Sequence, residues 1–420
     1  MENAMMQKAL AVAVAVAVCG MGVATVVAQS TSFQTQRVRA ARTHAPSSPV
    51  VPKPVPQFGD PLPNLTAAQL ADFSEGRDDF QESDTAASGL GPVFNNVSCV
   101  ACHSVPAIGG GSAILETRFG RMTNGQFDPL TAKGGSLLQQ FAIDPSAQES
   151  VPTDANIVAK RITTPLFGLG LIEAIPDAEI LLNALASAKD GISGRPSVVV
   201  DVASGQTRIG RFGWKSQQAT LLTFAGDAYL NEIGITSRLF PHENAPNGNA
   251  ALLAQYDTIA DPEDQDDPIT GKADIDHFAD FMRFLAPPPQ AASQSTTART
   301  GQQVFAQLGC DGCHTPSMST GPNKIAALDR KQVKLYSDLL LHDMGSLGDG
   351  IAQGTAKPGE MRTAPLWGLQ ARGPFLHDGR AATVDAAIRM HDGEASRTRD
   401  RYNQLPGAVQ QQLLAFLRTI

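Results

Sequence analysis

The chain has 420 residues and a formal charge of −8, with 42% hydrophobic and 18% charged residues. That acidic balance excludes the basic footprint a nucleic-acid partner needs. The length exceeds one small domain and fits at least two.

In chain order, Lys8 precedes an Ala/Val run from Ala9 to Val27, and Val26-Val27-Ala28 offers small residues for cleavage before Gln29. Residues 1–28 are therefore expected to be a secretory signal peptide, with no membrane anchoring of the mature chain. Residues 29–64, including Pro49-Val50-Val51-Pro52-Lys53-Pro54-Val55-Pro56, form a Pro-rich linker whose composition favours extended chain, as a tether or a wrap along the surface. Residues 65–289 are expected to form an N-terminal haem domain with insertions. Residues 290–420 follow as a C-terminal cytochrome c-like haem domain, the boundary falling in Ala286-Pro287-Pro288-Pro289 and the polar run after it.

Apolar periodicity and capping residues predict helices over Leu65–Phe80, Asp177–Ala186, Asp274–Leu285, Gly301–Leu308, Thr383–Met390 and Gly407–Leu417. Only Ser197–Val202 reads as a strand. The fold class expected is mainly α, with two tandem cytochrome c-like haem modules. The acids Asp257, Asp261, Glu263, Asp264, Asp266 and Asp267 read as a solvated loop, because Pro262 and Pro268 break any regular ligand spacing.

The haem assignment rests on cysteines. Four of the five sit in Cys99-Val100-Ala101-Cys102-His103 and Cys310-Asp311-Gly312-Cys313-His314. Cys-x-x-Cys-His is the attachment pattern of c-type haem: two thioethers hold the porphyrin and the imidazole becomes the proximal iron ligand. A zinc knuckle would need two more soft ligands per site, and a redox dithiol would not need the histidine. Cys19 leaves with the signal, so both remaining pairs are spent on haem. Two covalently bound haem c groups are the cofactors expected, and covalent attachment outside the cytoplasm agrees with a periplasmic location.

A phrase repeats behind each motif. Arg161-Ile162-Thr163-Thr164-Pro165-Leu166-Phe167-Gly168-Leu169 aligns with Met361-Arg362-Thr363-Ala364-Pro365-Leu366-Trp367-Gly368-Leu369, as tandem related modules would. The first copy lacks Met and His through Ile175, whereas the second half offers His342, Met344, Met361, His377 and His391 as iron ligands. That asymmetry predicts an N-terminal haem with an open distal face; Met344 and Met361 fall between the second motif and the repeated phrase as candidates opposite His314. At the open face, Glu173 is the ionisable group of an apolar phrase and would move protons, and Arg161 would stabilise developing negative charge or hold a propionate.

Both motifs, with Arg211-Phe212-Gly213-Trp214-Lys215, Ser337–Gly345 and Phe375-Leu376-His377-Asp378-Gly379-Arg380, carry a resemblance over residues 65–420. The chain resembles the di-haem oxidoreductases, also called thiol oxidoreductase-like, related to bacterial di-haem cytochrome c peroxidases and the methylamine dehydrogenase maturation enzyme. The resemblance implies a peroxidase-like enzyme in which electrons enter at the C-terminal haem and peroxide or another oxidant reacts at the N-terminal haem. It also implies charge relay through Trp214, haem contacts from His377 and Arg380, and calcium near the domain junction. The implied partner is a periplasmic electron donor, a small cytochrome or cupredoxin, or else a protein substrate. The rival reading is a di-haem electron carrier with both irons six-coordinate.

Overall fold

The computed structural model describes Lys53 and residues 55–185, 190–291 and 295–420. The expected signal peptide, most of the linker and Ala186 lie outside the described residues. Those described belong to one compact unit, residues 47–420.

Eleven α-helices occur among the described residues: α1 Ala67–Phe80, α2 Cys99–Cys102, α3 Leu169–Glu173, α4 Asp177–Leu185, α5 Leu221–Ala228, α6 Ala250–Tyr256, α7 Asp274–Phe284, α8 Thr296–Leu308, α9 Val384–Met390, α10 Ser396–Gln404 and α11 Gly407–Leu417. Thr66 starts α1 through a capping box with Gln69, accepting the Gln69 amide at 3.2 Å and receiving the glutamine's carbonyl oxygen on its own amide. Thr383 caps α9 in the expected place.

One helix pairing occurs twice. α1, which precedes the first cysteine motif, crosses α7, and α8, which precedes the second, crosses α11. Each crossing is close enough to require glycine. A Cβ on Gly76 would lie 2.1 Å from the His277 carbonyl oxygen, and one on Gly301 would lie 1.9 Å from that of Gln412. Phe73, Phe80 and Phe281 fill the first crossing; Phe305, Tyr336 and Phe416 fill the second. The larger apolar cluster runs past the Ala286–Pro289 segment, joining Phe281 and Leu285 to Leu335, Leu340 and Trp367. A smaller one gathers around α8 and α11.

The expectation of a mainly α chain is corrected: about 34% of residues are helical and 15% in strands, a mixed fold. Leu115–Thr123 is the centre of an antiparallel sheet with Gln126–Asp128, Leu137–Leu138 and Ile157–Ile162. Its alternation is disguised because Glu116 and Arg118 point charge into the protein, while Thr117 and Phe119 are buried on the other face. The predicted strand is present as Ser197–Val200, paired with Thr207–Gly210.

The end of the Pro-rich segment wraps onto this body. Leu62 is buried, its amide donates to the Phe284 carbonyl at 2.7 Å, and Phe58 packs edge-on against Phe167. The acidic loop is not uniformly solvated either. Asp264 is 6% exposed and receives the amides of Asp274 and Ile275 at 2.8 and 3.2 Å, capping α7.

Candidate functional site

Each cysteine motif forms a short helical turn that brings both thiols and the histidine to one side. All four cysteines are free. Burial pushes their thiols up, Cys102 to about 11 and Cys310 to about 12. Such thiols are protonated at neutral pH and are poor partners for disulfide exchange, whose nucleophile is the thiolate.

The two histidines are held alike. His103 Nδ1 lies 3.0 Å from the Gly110 carbonyl oxygen, and His314 Nδ1 lies 3.0 Å from that of Tyr336. A carbonyl only accepts, so Nδ1 carries the proton and Nε2 keeps its lone pair, as an iron ligand must. Burial lowers both imidazoles to about 4, so both are neutral at pH 7.

The repeated phrase braces both sites by the same bonds. Leu166 donates its amide to the Gly109 carbonyl at 2.8 Å, one residue before the acceptor of His103. Leu366 donates to the Leu335 carbonyl at 3.0 Å, again one residue before the acceptor of His314. Gly168 and Gly368 then turn the chain at φ +72° and +76°. The residues present therefore fit two haems: two free thiols and an oriented neutral imidazole at each site.

A cavity of about 440 Å³ runs from Cys310, Cys313 and His314 past Met344, Met361 and His377 to Trp214, Thr163 and Ser112. Trp214 sits where the two repeated phrases approach. Its Nε1 donates to the Ile162 carbonyl at 3.0 Å, its carbonyl accepts the Arg362 amide, and its ring meets that of His377 edge-on at 6.3 Å. His377 is buried, with its carbonyl accepting the Ile162 amide at 2.7 Å. Arg380 is half-exposed and pairs with Asp378.

His342 has no nitrogen to give iron. Nε2 lies 2.9 Å from Asp338 Oδ2 and Nδ1 lies 2.9 Å from Glu394 Oε2. Burial opposes its charge, yet hydrogen bonds to Asp338, Cys313 and Glu394 outweigh that and raise its pKa. It is a buried imidazolium beside Cys313. His391 is placed differently: its ring centre is 6.4 Å from that of His314, with the planes at 58°.

Two residues expected at the open haem are engaged in ion pairs instead of lining the cavity. Glu173 does not face the cavity: it accepts the Leu221 amide at 2.7 Å, starting α5, and pairs with Arg283 at 3.1 Å. The neighbouring apolar phrase made it look like a lone acid at a haem, but both oxygens are structural. Arg161 is 2% exposed and is likewise committed, to Asp349 at 2.7 Å and to Gln353 at 2.6 Å. Asp349 also takes Lys215 at 2.8 Å, with neither of those two side chains exposed.

Sequence reasoning missed Glu232, Glu116 and Arg118, which adjoin the first site. The Glu232 carbonyl accepts the amides of Asn95 and Asn96, and its carboxylate receives Asn95 Nδ2 at 2.7 Å. Burial first, then the charge of Glu116, raises Glu232 to about 7. The Glu116–Arg118 pair, at 3.0 Å, lies on the strand that sequence reading left as an insertion. Away from both sites, carboxylates of Glu243, Asp261 and Glu263 come within 4.8 Å of one another.

Fold and site define a protein with two like-built Cys-x-x-Cys-His centres, and a tryptophan and a histidine where the two repeated phrases approach. The family model described as "Di-haem oxidoreductase, putative peroxidase" matches residues 145–420, and the chain belongs to that family of oxidoreductases. The matched span holds the second motif; the first lies ahead of it.

Among solved structures, the chain is similar to a Kuenenia stuttgartiensis hydrazine synthase chain (14% identity, 91% of this chain and 98% of that one, TM-score 0.39). It is similar also to a MauG-like protein associated with microbial copper homeostasis (16%, 89% and 95%, TM-score 0.40). A third is the di-haem peroxidase BthA from Burkholderia thailandensis (15%, 61% and 78%, TM-score 0.30). The search of curated proteins found no match. No helix among the described residues is long and apolar enough to cross a membrane.

Proposed function

We propose that this is a periplasmic di-haem c-type oxidoreductase that reduces peroxide, its two tandem haem modules meeting near Trp214. The overall change is H2O2 plus two protons and two electrons to two waters, the electrons coming one at a time from a small cytochrome or cupredoxin. When bound, the haems supply electron storage at the Cys310–His314 site and peroxide binding at the Cys99–His103 site. The observation that carries this reading is the duplicated brace, in which each proximal imidazole is fixed by one carbonyl and the next-door carbonyl by the repeated leucine amide.

The chain's residues divide the work unequally. Around His314 they close the site, with His391, Met344 and Met361 all on the cavity. The repeated phrase behind His103 carries neither methionine nor histidine, whereas the one behind His314 opens on Met361. That supports an open position there, with Glu232 in place of Glu173 as the acid whose pKa suits proton transfer near neutrality. Trp214, against His377, supports charge passage between the sites.

The test is turnover on exported holoprotein. Intact mass should show two haems per chain. A half-reduced sample mixed with peroxide should oxidise two donor equivalents per peroxide consumed. One haem per chain, or no peroxide consumption in any redox state, would overturn the proposal; the second result would favour the carrier.

A further inference from the structure

Of the three candidate ligands on the cavity around His314, His391 is the one whose ring is fixed and whose free nitrogen is unengaged. It lies one residue past Met390, at the C-terminal cap of α9. Its Nδ1 donates back to the Ala387 carbonyl at 2.7 Å, and its own carbonyl receives Arg399 Nη1 at 2.9 Å. The ring is thereby fixed at both backbone and side chain, and it lines the same cavity as His314. Among the described residues, no hydrogen bond engages Nε2 of either ring.

The separation matches a shared metal. An imidazole nitrogen sits about 2 Å from a metal, and about 1 Å from its own ring centre, so two imidazoles trans on one metal have centres about 6 Å apart. The rings of His314 and His391 are 6.4 Å apart. Packed aromatic rings span about 4.5–7 Å between centres, so what favours a shared metal is the match to about 6 Å together with two unengaged Nε2 atoms on one cavity. Two imidazoles on one metal can be rotated about the nitrogen–metal–nitrogen line, so an angle of 58° between their planes is compatible with ligation.

We infer that His391 is the sixth ligand of the haem held by Cys310, Cys313 and His314, so that this iron is bound by two imidazoles. The inference rests on the reading of that motif as a haem site. It replaces Met344 and Met361 in the ligand role and leaves them as cavity wall. His342 is excluded by its two carboxylate partners. Two imidazoles close the iron to peroxide and remove the thioether that raises the potential of His/Met cytochromes. The donor that feeds this site must therefore be a stronger reductant than one serving a Met-ligated relay.

The measurement is spectroscopy of the oxidised holoprotein at confirmed haem content. Wild type should give a low-spin bis-imidazole paramagnetic resonance signal and lack the near-infrared band of sulfur-ligated haem. His391→Met should gain that band and raise the midpoint potential of one haem. His391→Ala should convert one low-spin signal to high-spin, and added imidazole should restore it. A sulfur-ligation band in wild type would overturn the inference, as would an unchanged low-spin signal in His391→Ala. If His391→Ala fails to retain haem, the wild-type spectrum alone decides.

The outcomes separate from those of peroxide turnover. A bis-imidazole signal without turnover keeps the ligand and removes the peroxidase reading; turnover with a sulfur-ligated iron does the reverse.

Discussion

The two cysteine motifs are near copies on one side and unlike on the other. On the proximal side, a carbonyl fixes Nδ1 at 3.0 Å in each, and burial keeps each ring neutral. Beyond the proximal brace, His314 has a second imidazole, that of His391, on its cavity, whereas the first motif has the Glu232 charge reaching Cys102. The proximal half is built by a local turn and a repeated phrase, so duplication preserves it. The facing half is built by segments that come from anywhere in the chain, and those can diverge while the proximal half is retained.

The comparison can be broken most severely at attachment. Replacing Cys310 and Cys313 together by Ala should remove one of two haems from the intact mass, while His103-side spectra persist. Loss of both haems would show that the sites are not independently built.

Next in size is the buried ion group near His377. Asp349→Ala leaves Arg161 and Lys215 without their shared partner, and breaking a buried pair costs about 3–5 kcal/mol. Denaturant unfolding of the holoprotein should show it; a loss under about 1 kcal/mol would mean water enters and screens the pair.

Trp214→Phe should leave haem content and spin states unchanged and slow transfer between the sites on the order of tenfold, about 1.4 kcal/mol of barrier. Equal rates in rapid-mixing traces would reduce Trp214 to packing.

Smaller still, Glu173→Gln should lower stability by about 1–3 kcal/mol through its bonds to Arg283 and Leu221. Peroxide turnover should hardly change. A large fall in turnover at full stability would return Glu173 to the chemistry.

The finest contrast is in pH. Glu232 has a folded pKa raised from 4.5 to about 7 by burial and by Glu116. A raised carboxyl holds its proton more tightly folded than unfolded, so its contribution is complete below 4.5 and is lost as pH climbs to about 7. Melting temperatures across that window should fall less steeply in Glu232→Gln than in wild type. Parallel curves would mean that the carboxyl titrates normally.

Much of this was legible because covalent chemistry needs fixed spacing. The two Cys-x-x-Cys-His runs, the Thr163/Thr363 phrase and helices capped by Thr66 and Thr383 are all local patterns. The sheet around Leu115–Thr123 was not, since charged residues facing an interior network erase its two-residue period. Glu173 misled because a lone acid in an apolar phrase looks catalytic until its partners, Arg283 and Leu221, are seen. The acid loop misled in the opposite sense, because Asp264 caps a helix start ten residues on.

What the sequence alone determined is the proximal chemistry: which thiols and which imidazoles, twice, with the phrase that braces them. The carbonyl serving His103 lies 7 residues away and the one serving His314 lies 22 residues away, so even that brace hid its second copy behind an insertion. Tertiary structure alone decided what faces each iron site, because His391 reaches His314 from 77 residues downstream through the packing of α9, and no spacing rule encodes such a meeting.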